Sequence, residues 1–167
     1  MSYSPMSFTT ATAGRAGFVR LGTGIGGQSD GTIVINSSAL FSSPTFTGLT
    51  TLQQSSEVLN SLSGATGTVT HNLSLGAVWY HSSISSNFTA NFTNVPTTND
   101  RTTSVVLILN QGLTGYLPTA VQIDGSAQTI KWFGTPVGTA SQVDVVSFTL
   151  IRTGSAWTVL GAVSSYA

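Results

Sequence analysis

Few residues in this chain have side chains suited to chemistry. Histidine occurs at His71 and His81 alone, and the acids are Asp30, Glu57, Asp100, Asp124 and Asp144. A metal site draws three or four close ligands from such groups. These are few and scattered, so the sequence assigns no metal ligand. Each histidine falls in or beside an expected strand and reads as a strand-surface residue, with a shared ion on an oligomer axis as the alternative. Glycoside hydrolysis needs two carboxylates about 5–10 Å apart. Asp124 and Asp144 are the pair to consider, but Asp124 precedes Gly125 in a turn signature that explains it structurally. There is no Gly-x-Ser-x-Gly elbow, and no histidine is placed to activate a serine. No catalytic residue is assigned, and an enzyme is not expected.

Two further patterns invite a binding role. Gly22, Gly24 and Gly27 have GxGxxG spacing, which holds a pyrophosphate only between a strand and a helix. Here Gln28-Ser-Asp-Gly-Thr-Ile-Val-Ile35 follows, a turn and a second strand, so no nucleotide or other cofactor is expected. The aromatic residues Trp79, Tyr80, Tyr116 and Trp132, with Phe133 and Trp157, are candidates for stacking on sugar rings. Core or subunit-interface packing is the competing reading for aromatics on strands. Four Asn-x-Ser/Thr triplets, at Asn36, Asn72, Asn87 and Asn91, are expected by chance in a chain so rich in Asn and Thr.

The elements that carry these residues follow from composition and pattern. Of 167 residues, 40% are hydrophobic and only 6% charged, with zero formal net charge. A typical soluble domain is about 25% charged. Ser and Thr, roughly thirty per cent of the chain, stand in for charge. Thr suits a pleated, half-buried surface, and Ser and Gly suit turns. A neutral polar exterior repels its own kind weakly and fits close assembly. Nothing steers toward phosphate, so nucleic acid is not an expected partner. There is no cysteine. No apolar run approaches the ~20 residues of a membrane span, and the N-terminus has no basic-then-apolar leader. Synthesis and assembly in a cytoplasm are expected.

Three zones divide the chain. Residues 1–44 form an extended N-terminal arm with β-like runs at Ala16–Leu21 and Thr32–Asn36. Phe18, Val19, Leu21, Ile33 and Ile35 are its candidate anchoring residues. Residues 45–64 read as a short helix or extended connector that oligomerises, because Leu52, Leu59 and Leu62 fall near heptad spacing. Residues 65–167 carry regular β-runs: Gly67–Asn72, Ala77–His81, Phe88–Asn94, Thr103–Asn110, Ala120–Ile123, Thr129–Phe133, Asp144–Arg152 and Trp157–Val163. Asn87-Phe-Thr-Ala-Asn-Phe-Thr alternates like a half-buried strand, and Val105–Leu109 is continuously apolar, like a strand covered on both faces. Asp124-Gly125 and Thr153-Gly154 mark hairpins. Eight short strands in about a hundred residues suggest an all-β, jelly-roll-like antiparallel sandwich, with a barrel as the alternative.

From Phe46 onward the chain resembles a module of tail-fibre and appendage proteins of tailed phages, especially marine cyanophages. The carrying residues are Ser43-Pro-Thr-Phe-Thr-Gly-Leu-Thr50, Ser56-Glu-Val-Leu59, Leu109-Asn-Gln-Gly112, Gly115-Tyr116, Gln122-Ile-Asp-Gly125, Thr129-Ile-Lys-Trp132, Asp144–Leu150 and Trp157–Gly161. The resemblance implies a place on the virion surface and a homotrimer. This chain has no long shaft, which favours a short fibre, a collar or baseplate attachment, or a capsid decoration protein. Its partners would be other virion proteins, docked by the arm. A receptor-binding lectin that recognises host surface polysaccharide is the alternative.

Overall fold

The computed structural model describes residues 25–27, 33–35 and 55–167. The chain divides into two units, Met1–Leu52 and Gln53–Ala167. In the first, β1 (Ile25–Gly27) pairs antiparallel with β2 (Ile33–Ile35), with Ile25 opposite Ile35. The last three residues of the glycine-rich stretch are thus a strand, paired with the strand expected near Thr32–Asn36. The expected run Ala16–Leu21 lies outside the described residues.

The second unit holds ten strands in two sheets. They are β3 (Leu59–Ser63), β4 (Gly67–Asn72), β5 (Val78–Ser82), β6 (Phe88–Thr93), β7 (Arg101–Asn110), β8 (Pro118–Ile123), β9 (Ser126–Gln128), β10 (Ile130–Trp132), β11 (Val143–Thr153) and β12 (Ala156–Tyr166). A 3-10 turn, Leu73–Leu75, is capped by Asn72, whose Oδ1 accepts from the Ser74 backbone N–H. The six-stranded sheet runs β10-β12-β11-β7-β5-β3 and the four-stranded sheet β4-β6-β8-β9.

The all-β expectation holds. The antiparallel pairing expected of a jelly-roll-like sandwich does not, because five of the eight pairings in this unit are parallel. From β3 to β8 the chain alternates between the sheets. Odd strands β3, β5 and β7 stack in parallel in one sheet, and even strands β4, β6 and β8 do so in the other. This is three turns of a flattened coil. The connections cross between layers instead of folding back as hairpins, so each strand pairs with its second neighbour in sequence. The long β11–β12 hairpin then closes the larger sheet on β7. Two tight turns behave as their sequence signals require. Asp124 (φ +47°) and Gly125 (φ +80°) join β8 to β9, and Gly154 (φ +54°) and Ser155 (φ +67°) join β11 to β12. The second turn sits one residue beyond the expected Thr153-Gly154. Positive φ at both central residues matches the twist of the flanking strands.

Leu59–Ser63 does not belong to a connector. It is an edge strand of the six-stranded sheet, parallel to β5. The leucine spacing suggested a shared helical face. In the strand Leu59 faces outward at 55% exposure, while Leu62 packs against the core. The remainder of the expected connector, through residue 54, lies outside the described residues.

Period-two burial places the core between the layers. Phe88, Ala90 and Phe92 of β6, with Val121 and Ile123 of β8, meet Val105, Leu107 and Leu109 of β7 and Val146, Phe148 and Leu150 of β11. Phe92 and Phe148 touch edge-on across the layers at 5.4 Å. Burying each such side chain contributes about 1.5–3 kcal/mol. Val106 and Ile108 are only half-buried, so the apolar run of β7 is covered fully on one face.

Candidate functional site

The two histidines are interior residues and not strand-surface ones. His71 on β4 shares a face with Val69, and His81 on β5 shares a face with Trp79; both are 0% exposed. Their Nε2 atoms lie 2.9 Å apart across the layers. Trp79, Phe92 and Phe88 close around the rings at 5.3–5.5 Å. One Nε2–H must therefore donate to the other, lone-pair Nε2, so the accepting ring is neutral and the two rings cannot both be protonated. Burial, helped by the neighbouring His81, lowers the His71 pKa to about 3, against a smaller upward pull from the backbone of Val69 and Asn91. Burial alone lowers His81 to about 4. Among the described residues neither Nδ1 has a hydrogen-bond partner. Among the described residues no group of three or more His, Cys, Asp or Glu converges to hold a metal.

Asp144 is also sealed, at 0% exposure. Its carboxylate accepts from Gln111 Nε2 (2.8 Å), the Thr139 backbone N–H (2.8 Å) and Ser165 Oγ (2.6 Å). Gln111 also donates to the Tyr116 carbonyl (2.7 Å) and accepts from its N–H (3.0 Å). The clamp binds the 111–117 loop to the 133–142 loop, where the backbones of Gly115 and Gly138 meet so closely that a Cβ on Gly115 would lie 2.2 Å from Gly138. Asp124 is a turn residue, as expected: its Oδ1 accepts from Asn94 N–H. The structure does not bring it together with Asp144. Asp144 sits at the β7 C-terminal end, beside Leu109, whereas Asp124 follows β8 at the opposite end.

The stacking candidates do not share one surface. Trp79 is 4% exposed, with Nε1 donating to the Gly76 carbonyl, so it cannot face a sugar. Tyr80 is half-buried on the outer face of the six-stranded sheet. Tyr116 packs against the core beside the Gln111 clamp. Trp132 lies on Gly161 and 5.7 Å from Phe148. It also borders a shallow open depression of about 350 Å³ with Lys131, Thr149, Leu160 and Phe133, and Phe133 is 87% exposed. Trp157 is covered by Arg152, whose guanidinium lies 4.8 Å from the ring centroid. Of the arm residues, Ile33 and Ile35 lie in β2, and Phe18, Val19 and Leu21 lie outside the described residues.

Sequence reasoning missed the outer face of the six-stranded sheet. Strand registers align Leu59, Val78, Val106, Ser147 and Ala162 in one cross-strand row, and Ser61, Tyr80, Ile108, Val145 and Ser164 in the next. No charge occurs in either row. Lys131, on the short β10 edge, is the one charged residue on this face among the described strands. The signal was present in the apolar parity of β7, where Val106 and Ile108 alternate with the core positions. Among the described residues no helix is long and apolar enough to cross a membrane. Comparison with family models, curated proteins and solved structures finds no match for the chain.

Proposed function

We propose that this chain is a non-enzymatic structural protein of a tailed-phage particle, displayed on the virion surface as a homotrimer. The observation that carries the reading is the uncharged, apolar outer face of the six-stranded sheet. A contiguous apolar patch on an exposed sheet marks an interaction surface. A second copy fits it without like-charge repulsion, since the central rows carry no charge. The sealing of both histidines and Asp144 inside the sandwich also favours assembly over reaction chemistry, because accessible general acids and bases are what hydrolysis requires. In this reading residues 1–44 are the arm that docks on a capsid, tail or collar protein, and the two-sheet unit projects as a short fibre, attachment or decoration. Three arms on one particle would bind with avidity exceeding that of any single arm. Deleting residues 1–44 is expected to abolish attachment to particles, measured by sedimentation with purified virions, while circular dichroism still reports a folded β-unit. Attachment of the truncated chain would refute the arm.

A second reading is a lectin module for host surface polysaccharide. The open depression bordered by exposed Phe133 favours it, because that ring beside Lys131 and Thr149 offers stacking and hydrogen bonding together, whereas the Trp132 ring packs inward on Gly161 and Phe148. A glycan array is expected to show binding that Phe133→Ala removes; no binding to any host-surface sugar would eliminate this reading.

A further inference from the structure

Charge is rare in this chain, so its placement is informative. Among residues 55–167, Asp100, Arg101, Asp124 and Arg152 gather at one end of the sandwich, where β7 begins, β8 ends and β11 turns into β12. Glu57, Lys131 and Asp144 are the remaining charged residues of that span. Within the group two arginines stand directly opposite each other, Arg101 on β7 and Arg152 on β11. They share the parity of Val105 and Leu150, so both side chains rise on the same inner side, at the open end of the sandwich. Like charges directly opposite on a sheet are destabilising. Neither arginine has a carboxylate within 4.0 Å among the described residues. Asp124 Oδ1 accepts from Asn94, and Asp100 (φ +58°) donates its backbone N–H to the Arg152 carbonyl at the entry to β7.

Arg152 is held in place. Its guanidinium lies 4.8 Å over the Trp157 ring, and its Nε is buried with no acceptor among the described residues. Arg101 is exposed beside it. An arginine fork offers planar, paired donors that match a carboxylate, sulfate or phosphate group, and a stacked guanidinium is already oriented for that contact. A bound oxyanion meeting the terminal guanidinium nitrogens would relieve the repulsion of the pair.

We infer that Arg101 and Arg152, backed by Trp157, form a binding site for an oxyanion group carried by a ligand. The site stands independently of the virion reading. It occupies a different part of the surface from the uncharged sheet face and from the depression at Trp132.

The test is a nuclear magnetic resonance titration of the full-length, ¹⁵N-labelled chain with sodium sulfate, sodium phosphate and sodium glucuronate, at ionic strength held constant with chloride. At least one of the three anions is expected to shift the Arg152 Nε–H and Trp157 indole signals saturably, and the order of affinities names the class of oxyanion. Arg101→Gln, at an exposed position, is expected to weaken binding by about tenfold or more, in keeping with the loss of one charge-assisted contact. The other resonances should stay unchanged, and the thermal midpoint without added anion should hold or rise slightly as the like-charge repulsion is removed. Arg152→Lys, which keeps the charge and loses the fork, is expected to weaken it as well. Shifts that never saturate, that appear equally with chloride, or that survive Arg101→Gln would overturn the site.

Discussion

At the scale of single residues, the histidine pair sets a pH limit on the fold. Both folded-state pKa values lie below the ordinary 6.5, at about 3 and about 4. The unfolded chain takes up protons as pH falls through 6.5, whereas the folded pair stays neutral. Stability contributed by neutrality is therefore complete above pH 6.5, drains as pH falls toward 4, and levels off below about 3. The slope is up to about 1.4 kcal/mol per pH unit for each histidine. Urea midpoints measured from pH 7 to 4 are expected to fall in the wild type and to flatten in the His71→Leu/His81→Leu variant; an unchanged slope in that variant would contradict the assignment. Asp144→Ala would strand donors from Gln111, Thr139 and Ser165, and a loss of about 3 kcal/mol is expected in equilibrium unfolding. The inward placement of the histidines was available in the sequence, since His71 alternates in step with Val69 and His81 with Trp79. Their meeting was not, because periodicity tells which residues share a face but not which strand lies opposite. The same limit explains Trp79, legible as a strand aromatic but not as a buried one.

At the scale of elements, strand positions were legible and strand partners were not. The runs read at Gly67–Asn72, Phe88–Asn94 and Asp144–Arg152 fall on β4, β6 and β11 to within a residue or two. Their parallel pairing depends on short connections that cross between layers, and a five-residue link looks alike whether it crosses or reverses. β3 was missed because Leu59 and Leu62 are spaced as on a helix, and β9 because Ser126–Gln128 has no apolar residue larger than alanine. The resemblance motifs have structural work in this fold. Gln111, Gly115, Tyr116 and Asp144 form the loop clamp, and Trp132 needs Gly161 beneath it. A Cβ at Gly161 would lie 2.8 Å from the Trp132 ring. Gly161→Ala is expected to push β10 off the sheet edge, lowering stability by about 1–3 kcal/mol and shifting tryptophan fluorescence. Unaltered fluorescence and stability would show that the edge strand accommodates the methyl group freely.

At the scale of the whole molecule, low charge and an apolar outer face lead to the same expectation. A soluble monomer normally disperses charge over its surface, whereas this sheet keeps its central rows neutral. Assembly through that face would cover Tyr80, Val106, Ile108 and Val145, together with Ser147 and Ala162 at the rim of the depression, while leaving the arginine end open to ligands. The native mass of the full-length chain, measured by light scattering after gel filtration, tests this most directly. A mass of three chains is expected, falling to one in the folded Tyr80→Lys/Ile108→Lys variant; a wild-type monomer, or a trimer indifferent to those lysines, would rule out assembly through this face.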